Sequence, residues 1–141
     1  MSTQQLEGGC LCGRTRYRVS GASLSTIICH CVSCRRAAGA ESVAWMTFPM
    51  SAFEHLAATP KGFNSSEGIT RTFCPECGTS LTYQDSVGTT IDVALATLDD
   101  PGLIVPTKEI WLSDRIAWHA VNPDLKTCLQ GSDTCGSDDS G

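Results

Sequence analysis

Three tight groups of cysteines constrain this chain more than any other feature of its sequence. Seven of its nine cysteines lie in these groups, which read Cys10-Leu11-Cys12-Gly13, Cys29-His30-Cys31-Val32-Ser33-Cys34 and Cys74-Pro75-Glu76-Cys77-Gly78. A tetrahedral zinc ion with Zn–S bonds of about 2.3 Å requires sulfurs about 3.8 Å apart. Short spacings bring sulfurs this close without long-range folding. The spacing therefore favours metal binding over scattered free thiols.

Composition narrows the class of protein further. Nine cysteines in 141 residues is about 6%, below the roughly 8–10% of small disulfide-rich scaffolds. The first five residues lack the basic and apolar regions of a signal peptide, which favours a cytoplasmic protein with reduced thiols. A net charge of −5 argues against nucleic acid as a partner. No apolar run reaches the roughly 18 residues of a membrane span.

The hydrophobic pattern predicts a mainly β domain. Period-two or β-branched runs predict short strands at Thr15–Val19, Thr26–Ile28, Val43–Phe48, Thr79–Tyr83, Thr90–Leu95 and Glu109–Leu112. Only Ser33–Ala40 and Met50–Phe53 read as briefly helical. We expect one domain over residues 6–121. Residues 122–141 are rich in Ser, Gly, Asp and Thr, which predicts a flexible polar tail.

The third group is the strongest local signal for a zinc knuckle. Pro75 fixes the turn between Cys74 and Cys77, and Gly78 accepts the positive φ that lets backbone N–H groups face the sulfurs. A redox Cys-x-x-Cys is the competing interpretation. Such a motif is typical of a βαβ unit, and no such unit is visible in the pattern.

A two-sulfur knuckle needs a second pair to complete a structural zinc site. Cys10 and Cys12, two apart on an extended segment, point to the same side and can supply it. The resulting four-cysteine site would stabilise the domain by closing a long loop. The spacing leaves open an alternative in which Cys74 and Cys77 pair with two members of the middle group.

The middle group supplies three thiolates, Cys29, Cys31 and Cys34. Three protein ligands with a vacant fourth position are typical of a catalytic zinc. Two alternatives remain: a disulfide forms within the group, or a fourth residue closes it. The candidates for closure are His30, His55, His119, Cys128 and Cys135. In an extended run the His30 side chain points away from the neighbouring sulfurs.

Arginines close to the cysteines suggest how an anionic substrate is held. Arg35 and Arg36 directly follow Cys34, and we expect Arg35 to be the main binder. Three further arginines alternate on the predicted strand after the first group, at Arg14, Arg16 and Arg18. They can offset the negative charge of zinc thiolates, or they can be ordinary solvated residues.

Taken together, these groups resemble the glutathione-dependent formaldehyde-activating enzyme family over about Leu6 to Val121. The likeness rests on Gly9-Cys10-x-Cys12-Gly13, Cys29-His30-Cys31-x-x-Cys34-Arg35, Arg71-x-Phe73-Cys74-x-x-Cys77-Gly78 and a closing Trp111–Trp118 segment. The resemblance implies a β-tent fold of stacked antiparallel β-sheets. It also implies a structural zinc on Cys10, Cys12, Cys74 and Cys77, and a catalytic zinc on the middle group.

The activity that the resemblance implies is addition of the glutathione thiol to formaldehyde, a carbon–sulfur lyase reaction in reverse. The chain is short and offers few loops for a peptide pocket, which favours a small thiol and aldehyde. His30 and Glu41 are the candidates for moving a proton. Two other classes compete. One is a non-catalytic, zinc-stabilised binding module, and the other is a methionine sulfoxide reductase, which needs a reactive cysteine outside the metal groups.

Overall fold

The computed structural model describes residues 4–135 and shows a mainly β protein, as predicted. The strands are β1 (Gln5–Gly9), β2 (Arg16–Ser20), β3 (Ser25–Cys29), β4 (Val43–Pro49), β5 (Phe53–His55), β6 (Lys61–Ser66), β7 (Ile69–Phe73), β8 (Ser80–Asp85), β9 (Thr90–Ala94), β10 (Lys108–Ile110) and β11 (Lys126–Thr127). The described residues contain one α-helix, α1 (Val32–Ala38). Short 3₁₀ helices lie at Met50–Ala52, Leu95–Thr97, Pro101–Leu103, Leu112–Asp114 and Ser132–Thr134.

All six predicted strands are confirmed to within a few residues, and both helical predictions mark real turns of helix. The missed strands are β1, β5, β6, β7 and β11. Strand β6 shows why, because every one of its residues is exposed. Without a buried face it carries no alternation of apolar and polar residues.

The chain divides into two compact units. The first unit contains the residues up to Ser25 together with Met46–Ile104. Within it, β1, β2 and β5 pair antiparallel, and β6, β7, β8 and β9 form an antiparallel meander. Gly8 is required at its position because a Cβ there would overlap the Tyr17 ring and the Thr97 carbonyl.

The second unit contains Thr26–Trp45 and the residues from Val105 onward. Its strand β10 pairs parallel to both β3 and β11, with Glu109 opposite Ile28 and Ile110 opposite Cys29. This parallel pairing differs from the antiparallel sheets that the family resemblance implied. Parallel pairing joins segments that are distant in the chain, and so leaves no local sequence signal.

The segment that the sequence predicts to be a flexible polar tail, residues 122–141, is described as far as Cys135, and this part is attached to the sheet. Strand β11 pairs with β10, and the Cys128 N–H donates to the Glu109 carbonyl at 2.9 Å. Cys128 is fully buried and forms a disulfide with Cys135. The polar composition gives no sign that this segment is ordered, because backbone hydrogen bonds rather than apolar side chains hold it to the sheet. Residues 136–141 lie outside the described part of the chain.

Among the described residues no helix is both long enough and apolar enough to cross a bilayer.

Truncation after Val121 should lower the melting temperature clearly, by roughly 10 °C, because several backbone hydrogen bonds to β10 and its flank disappear at about 1 kcal/mol each. Thermal denaturation followed by circular dichroism measures this. As the matched control, Leu129→Ser alters an exposed side chain of the same segment and should melt like the wild type. Equal melting of truncated and full-length chains would show that the segment contributes nothing to stability.

Candidate metal centres

Four cysteines of the first unit meet at one point. Cys10, Cys12, Cys74 and Cys77 place their sulfurs within 4.8 Å of one another. The Cys10 and Cys12 sulfurs are 3.6 Å apart, and those of Cys12 and Cys74 are 3.7 Å apart. A tetrahedral zinc site requires edges of about 3.8 Å. The donor set therefore fits a closed four-thiolate metal site, and the grouping is the one predicted in preference to pairing with the middle group.

Backbone donors and one threonine position this four-cysteine cluster. The Thr15 N–H donates to the Cys10 sulfur at 3.3 Å, and the Glu76 N–H donates to the Cys74 sulfur at 3.4 Å. The Thr79 hydroxyl accepts the Leu11 N–H at 3.0 Å and lies 3.3 Å from the Cys77 sulfur, so it ties the first loop to the knuckle. Gly78 has a φ of 82°, as its place after the knuckle predicted.

The four thiols differ in acidity because of these contacts. Burial raises the pKa of Cys10, but hydrogen bonds from Thr15 and the neighbouring sulfurs outweigh it and lower the pKa to about 5. Hydrogen bonds from Thr79 lower the pKa of Cys77 to about 7. A backbone hydrogen bond from Arg14 opposes the shift at Cys12, yet desolvation and the adjacent sulfurs raise its pKa to about 12. Without a cation, sulfurs packed this closely resist joint ionisation.

The middle group forms a second, three-sulfur cluster in the other unit. Cys29 ends β3, Cys31 caps the N-terminus of α1, and Cys34 lies in the first turn of that helix. Their sulfurs lie within 4.8 Å of one another, and the Cys34 N–H donates to the Cys31 sulfur at 3.3 Å. Hydrogen bonds with the other two thiols, and then burial, raise the pKa of Cys29. A metal ion would supply the positive charge that three thiolates need.

Within the described residues, none of the candidates for closing this three-sulfur cluster belongs to it. His55 makes an edge-to-face contact with the Phe53 ring in the first unit, and Cys128 forms a disulfide with Cys135. His30, as expected for an extended run, turns instead towards Glu109. The group therefore presents three sulfur ligands.

The arginines near the cysteine groups differ in whether a carboxylate of the protein already binds them. Arg16 forms a bidentate pair with Asp99 at 2.8 and 2.5 Å, and Arg18 bridges Glu7 and Glu54. Both guanidinium groups are thus paired with carboxylates of the first unit. Arg35 is half-buried on α1, and its Nε has no hydrogen-bond partner among residues 4–135.

A buried cluster around Glu109 was not foreseen from the sequence. Only 1% of Glu109 is exposed, and its Oε1 lies 2.7 Å from His30 Nε2 and 2.9 Å from His119 Nε2. Its Oε2 accepts the Asn122 N–H at 3.0 Å. Burial raises the pKa of Glu109, but these hydrogen bonds outweigh it and hold the pKa below its ordinary value. The residues are separated by 79 and 10 positions, so no local motif announces the cluster.

Comparison with known proteins gives a matching family model and a similar solved structure. A family model described as glutathione-dependent formaldehyde-activating enzyme matches residues 5–114. A solved crystal structure of a Rhodobacter sphaeroides protein is similar to this chain, with 22% sequence identity and a TM-score of 0.56. The match covers 67% of this chain and 88% of the Rhodobacter protein, and it supports the fold alone. No curated protein matches the chain significantly.

Glu109→Gln should destabilise the protein by about 3 kcal/mol near neutral pH, because it removes a buried anion from three donors. A carboxyl with a lowered folded-state pKa adds stability above its unfolded pKa and loses it as the pH falls through the folded value. The difference between wild type and variant should therefore shrink on acidification. Urea denaturation at several pH values measures it, with exposed Glu76→Gln as the control. A difference that does not change with pH would contradict an ionised Glu109.

Proposed function

The chain belongs to the glutathione-dependent formaldehyde-activating enzyme family, and we propose that it adds a small thiol, glutathione or a similar one, to an aldehyde such as formaldehyde. The thiol adds across the carbonyl group, so a C–S bond forms and the C=O π bond opens. The thiol proton ends on the former carbonyl oxygen. With glutathione and formaldehyde the product is S-hydroxymethylglutathione, and the reverse reaction is that of a carbon–sulfur lyase.

The three-sulfur cluster carries this proposal. Cys29, Cys31 and Cys34 would hold a zinc ion with one coordination position left for a reactant. Zinc bound there supplies Lewis-acid chemistry, lowering the pKa of a thiol or polarising an aldehyde oxygen. Cys29 and Cys34 are buried and Cys31 is half-buried, so one side of the cluster can be reached from solvent. The helix α1 holds two of the three sulfurs in a fixed relation.

The four-cysteine centre has a different role in this proposal. Cys10, Cys12, Cys74 and Cys77 would close a zinc site completely, leaving no position for substrate. Such a site stabilises the first unit by joining segments more than 60 residues apart in sequence.

Arg35 is the proposed carboxylate binder. It follows Cys34 directly on α1, its side chain is half-buried, and its buried Nε has no hydrogen-bond partner among the described residues. Glutathione carries two carboxylates, and a guanidinium can bind one of them through two parallel hydrogen bonds. Arg36 is exposed on the same helix and can add positive charge for the second.

The competing function is a zinc-stabilised module without turnover. The variant Cys31→Ser distinguishes the enzyme from the binding module. It should remove about one zinc per chain and abolish catalysis while leaving a folded protein. Cys77→Ser should instead unfold or strongly destabilise the first unit, since structural zinc binding is worth on the order of 10 kcal/mol. Metal analysis, thermal melting and exchange spectroscopy on mixed glutathione and formaldehyde measure the three effects, after subtraction of the spontaneous rate.

No excess exchange rate with both centres loaded would favour the binding module. An excess rate that persists in Cys31→Ser would show that the three-sulfur cluster does not carry the reaction. If both serine variants melted alike, the division into a structural and a catalytic centre would be wrong.

Arg35→Ala should raise KM for glutathione about tenfold and change kcat little. A carboxylate far from the reacting sulfur is bound about equally in the ground and transition states, so its loss weakens binding and not the chemical step. The same exchange measurement, at varied glutathione concentration, gives both constants. Arg14→Ala, which alters an exposed arginine of the first unit, is the matched control. An equal KM in the two variants would exclude Arg35 as the binder.

A further inference from the structure

The two histidines bound to Glu109 each have a second ring nitrogen that the Glu109 interaction does not use. An ionised carboxylate only accepts hydrogen bonds, so both rings donate their Nε2–H to Glu109 Oε1. In a neutral imidazole the other nitrogen, Nδ1, then carries a lone pair. His30 is fully buried, and its Nδ1 has no hydrogen-bond partner among the described residues. A buried lone pair without a partner costs stability unless something binds it.

Glu41 contributes a carboxylate oxygen to the same group of possible ligands. Its Oε1 accepts the Ser42 hydroxyl at 2.5 Å, which fixes the group, while its buried Oε2 has no hydrogen-bond partner in residues 4–135. That Oε2 lies 3.1 Å from His119 Nδ1. With Nε2–H already donated to Glu109, this contact joins two acceptors. Two acceptors at that distance repel each other unless a proton or a metal cation lies between them.

His30, Glu41 and His119 form a group of side chains able to hold one metal ion. One ligand atom from each residue lies within 4.8 Å of the other two. Two imidazole nitrogens and one carboxylate oxygen form the ligand set of many first-row transition-metal sites. A histidine that binds metal usually donates its other N–H to a carboxylate, and Glu109 accepts from both rings in this way.

We propose that His30, Glu41 and His119 form a further metal site, separate from both cysteine centres, which takes a divalent first-row transition-metal ion through nitrogen and oxygen. Glu109 is its positioning residue, because it fixes the tautomer and orientation of both rings. The site uses no sulfur, so it selects ions that accept imidazole and carboxylate ligands rather than thiolates. It does not depend on the thiol–aldehyde reaction.

Cobalt(II) titrated into protein that carries two equivalents of zinc tests the proposal. With the thiolates occupied by zinc, we expect one Co²⁺ per chain, with weak visible bands and no intense thiolate-to-cobalt charge-transfer absorption. Proton NMR should show two exchangeable, paramagnetically shifted N–H signals, one from the Nε2–H of each ring. Calorimetry gives the dissociation constant.

Substitutions locate the ion. Glu41→Gln and His119→Gln should each weaken cobalt binding at least tenfold, and Glu109→Gln should weaken it by about 10–100-fold as the loss of an orienting carboxylate does. The matched controls, His55→Gln and Glu67→Gln, alter exposed residues of the first unit and should bind cobalt like the wild type. Far-UV circular dichroism and melting without cobalt establish that each variant is folded. His119→Gln and Glu41→Gln alter partly exposed side chains, so they provide the test if the buried Glu109 variant does not fold.

Three outcomes would overturn the proposal. Failure to bind cobalt with the thiolates occupied by zinc would show that these three residues hold no metal ion. Charge-transfer absorption would place the ion at the cysteines. Binding unchanged in both Glu41→Gln and His119→Gln would place it elsewhere. None of these measurements uses turnover, so absence of this site and absence of the thiol–aldehyde reaction are separate results.

Discussion

Mutual repulsion among crowded sulfurs is the constraint on which the rest of this structure depends. Seven thiols converge in two clusters, each with its sulfurs within 4.8 Å. The clusters can ionise fully only if cations balance them, which couples metal binding to folding. In the first unit the four-cysteine cluster is itself packed into a small core, where Cys10 and Cys74 contact Leu81. An apolar contact set this small contributes little alone, so bound metal would dominate the local stability.

The two clusters differ in the way the backbone supplies them. The four-cysteine cluster is formed by two loops from distant parts of the chain, and Thr79 contacts both of them. The three-sulfur cluster is formed by one strand end and the helix that follows it, so a continuous stretch of six residues positions every ligand. In the proposed function, a locally formed cluster would keep its geometry while one position is left for a reactant.

Sequence reasoning succeeded where the determinants are local. The glycine after the knuckle and the alternating strands are confirmed in place, and the short cysteine spacings bring the sulfurs of each group close together. It failed where pairing is long-range. Composition alone made the segment around Cys128 look unstructured, although backbone hydrogen bonds and the disulfide to Cys135 fix it. The sequence marks Glu109 only as a residue of a predicted strand, because the parallel register of β10 and β3 brings His30 to it and the turn after β10 brings His119 back to it.

The pairing of β10 with β3 also connects the three-sulfur cluster to the cluster of His30, His119 and Glu109. Ile110 pairs with Cys29, and the His30 N–H donates to the Ile110 carbonyl at 3.0 Å, so β10 holds the extended segment that carries both groups. Neighbouring side chains on an extended segment point to opposite sides, which directs Cys29 and Cys31 to the sulfur cluster and His30 to Glu109. Anchoring His30 in a hydrogen-bonded, buried position therefore fixes the backbone on which two of the three sulfurs sit. Burying an anion at Glu109 is costly unless it is fully paired. The hydrogen bonds from His30, His119 and Asn122 offset that cost, and they hold the backbone beside the thiolates in place.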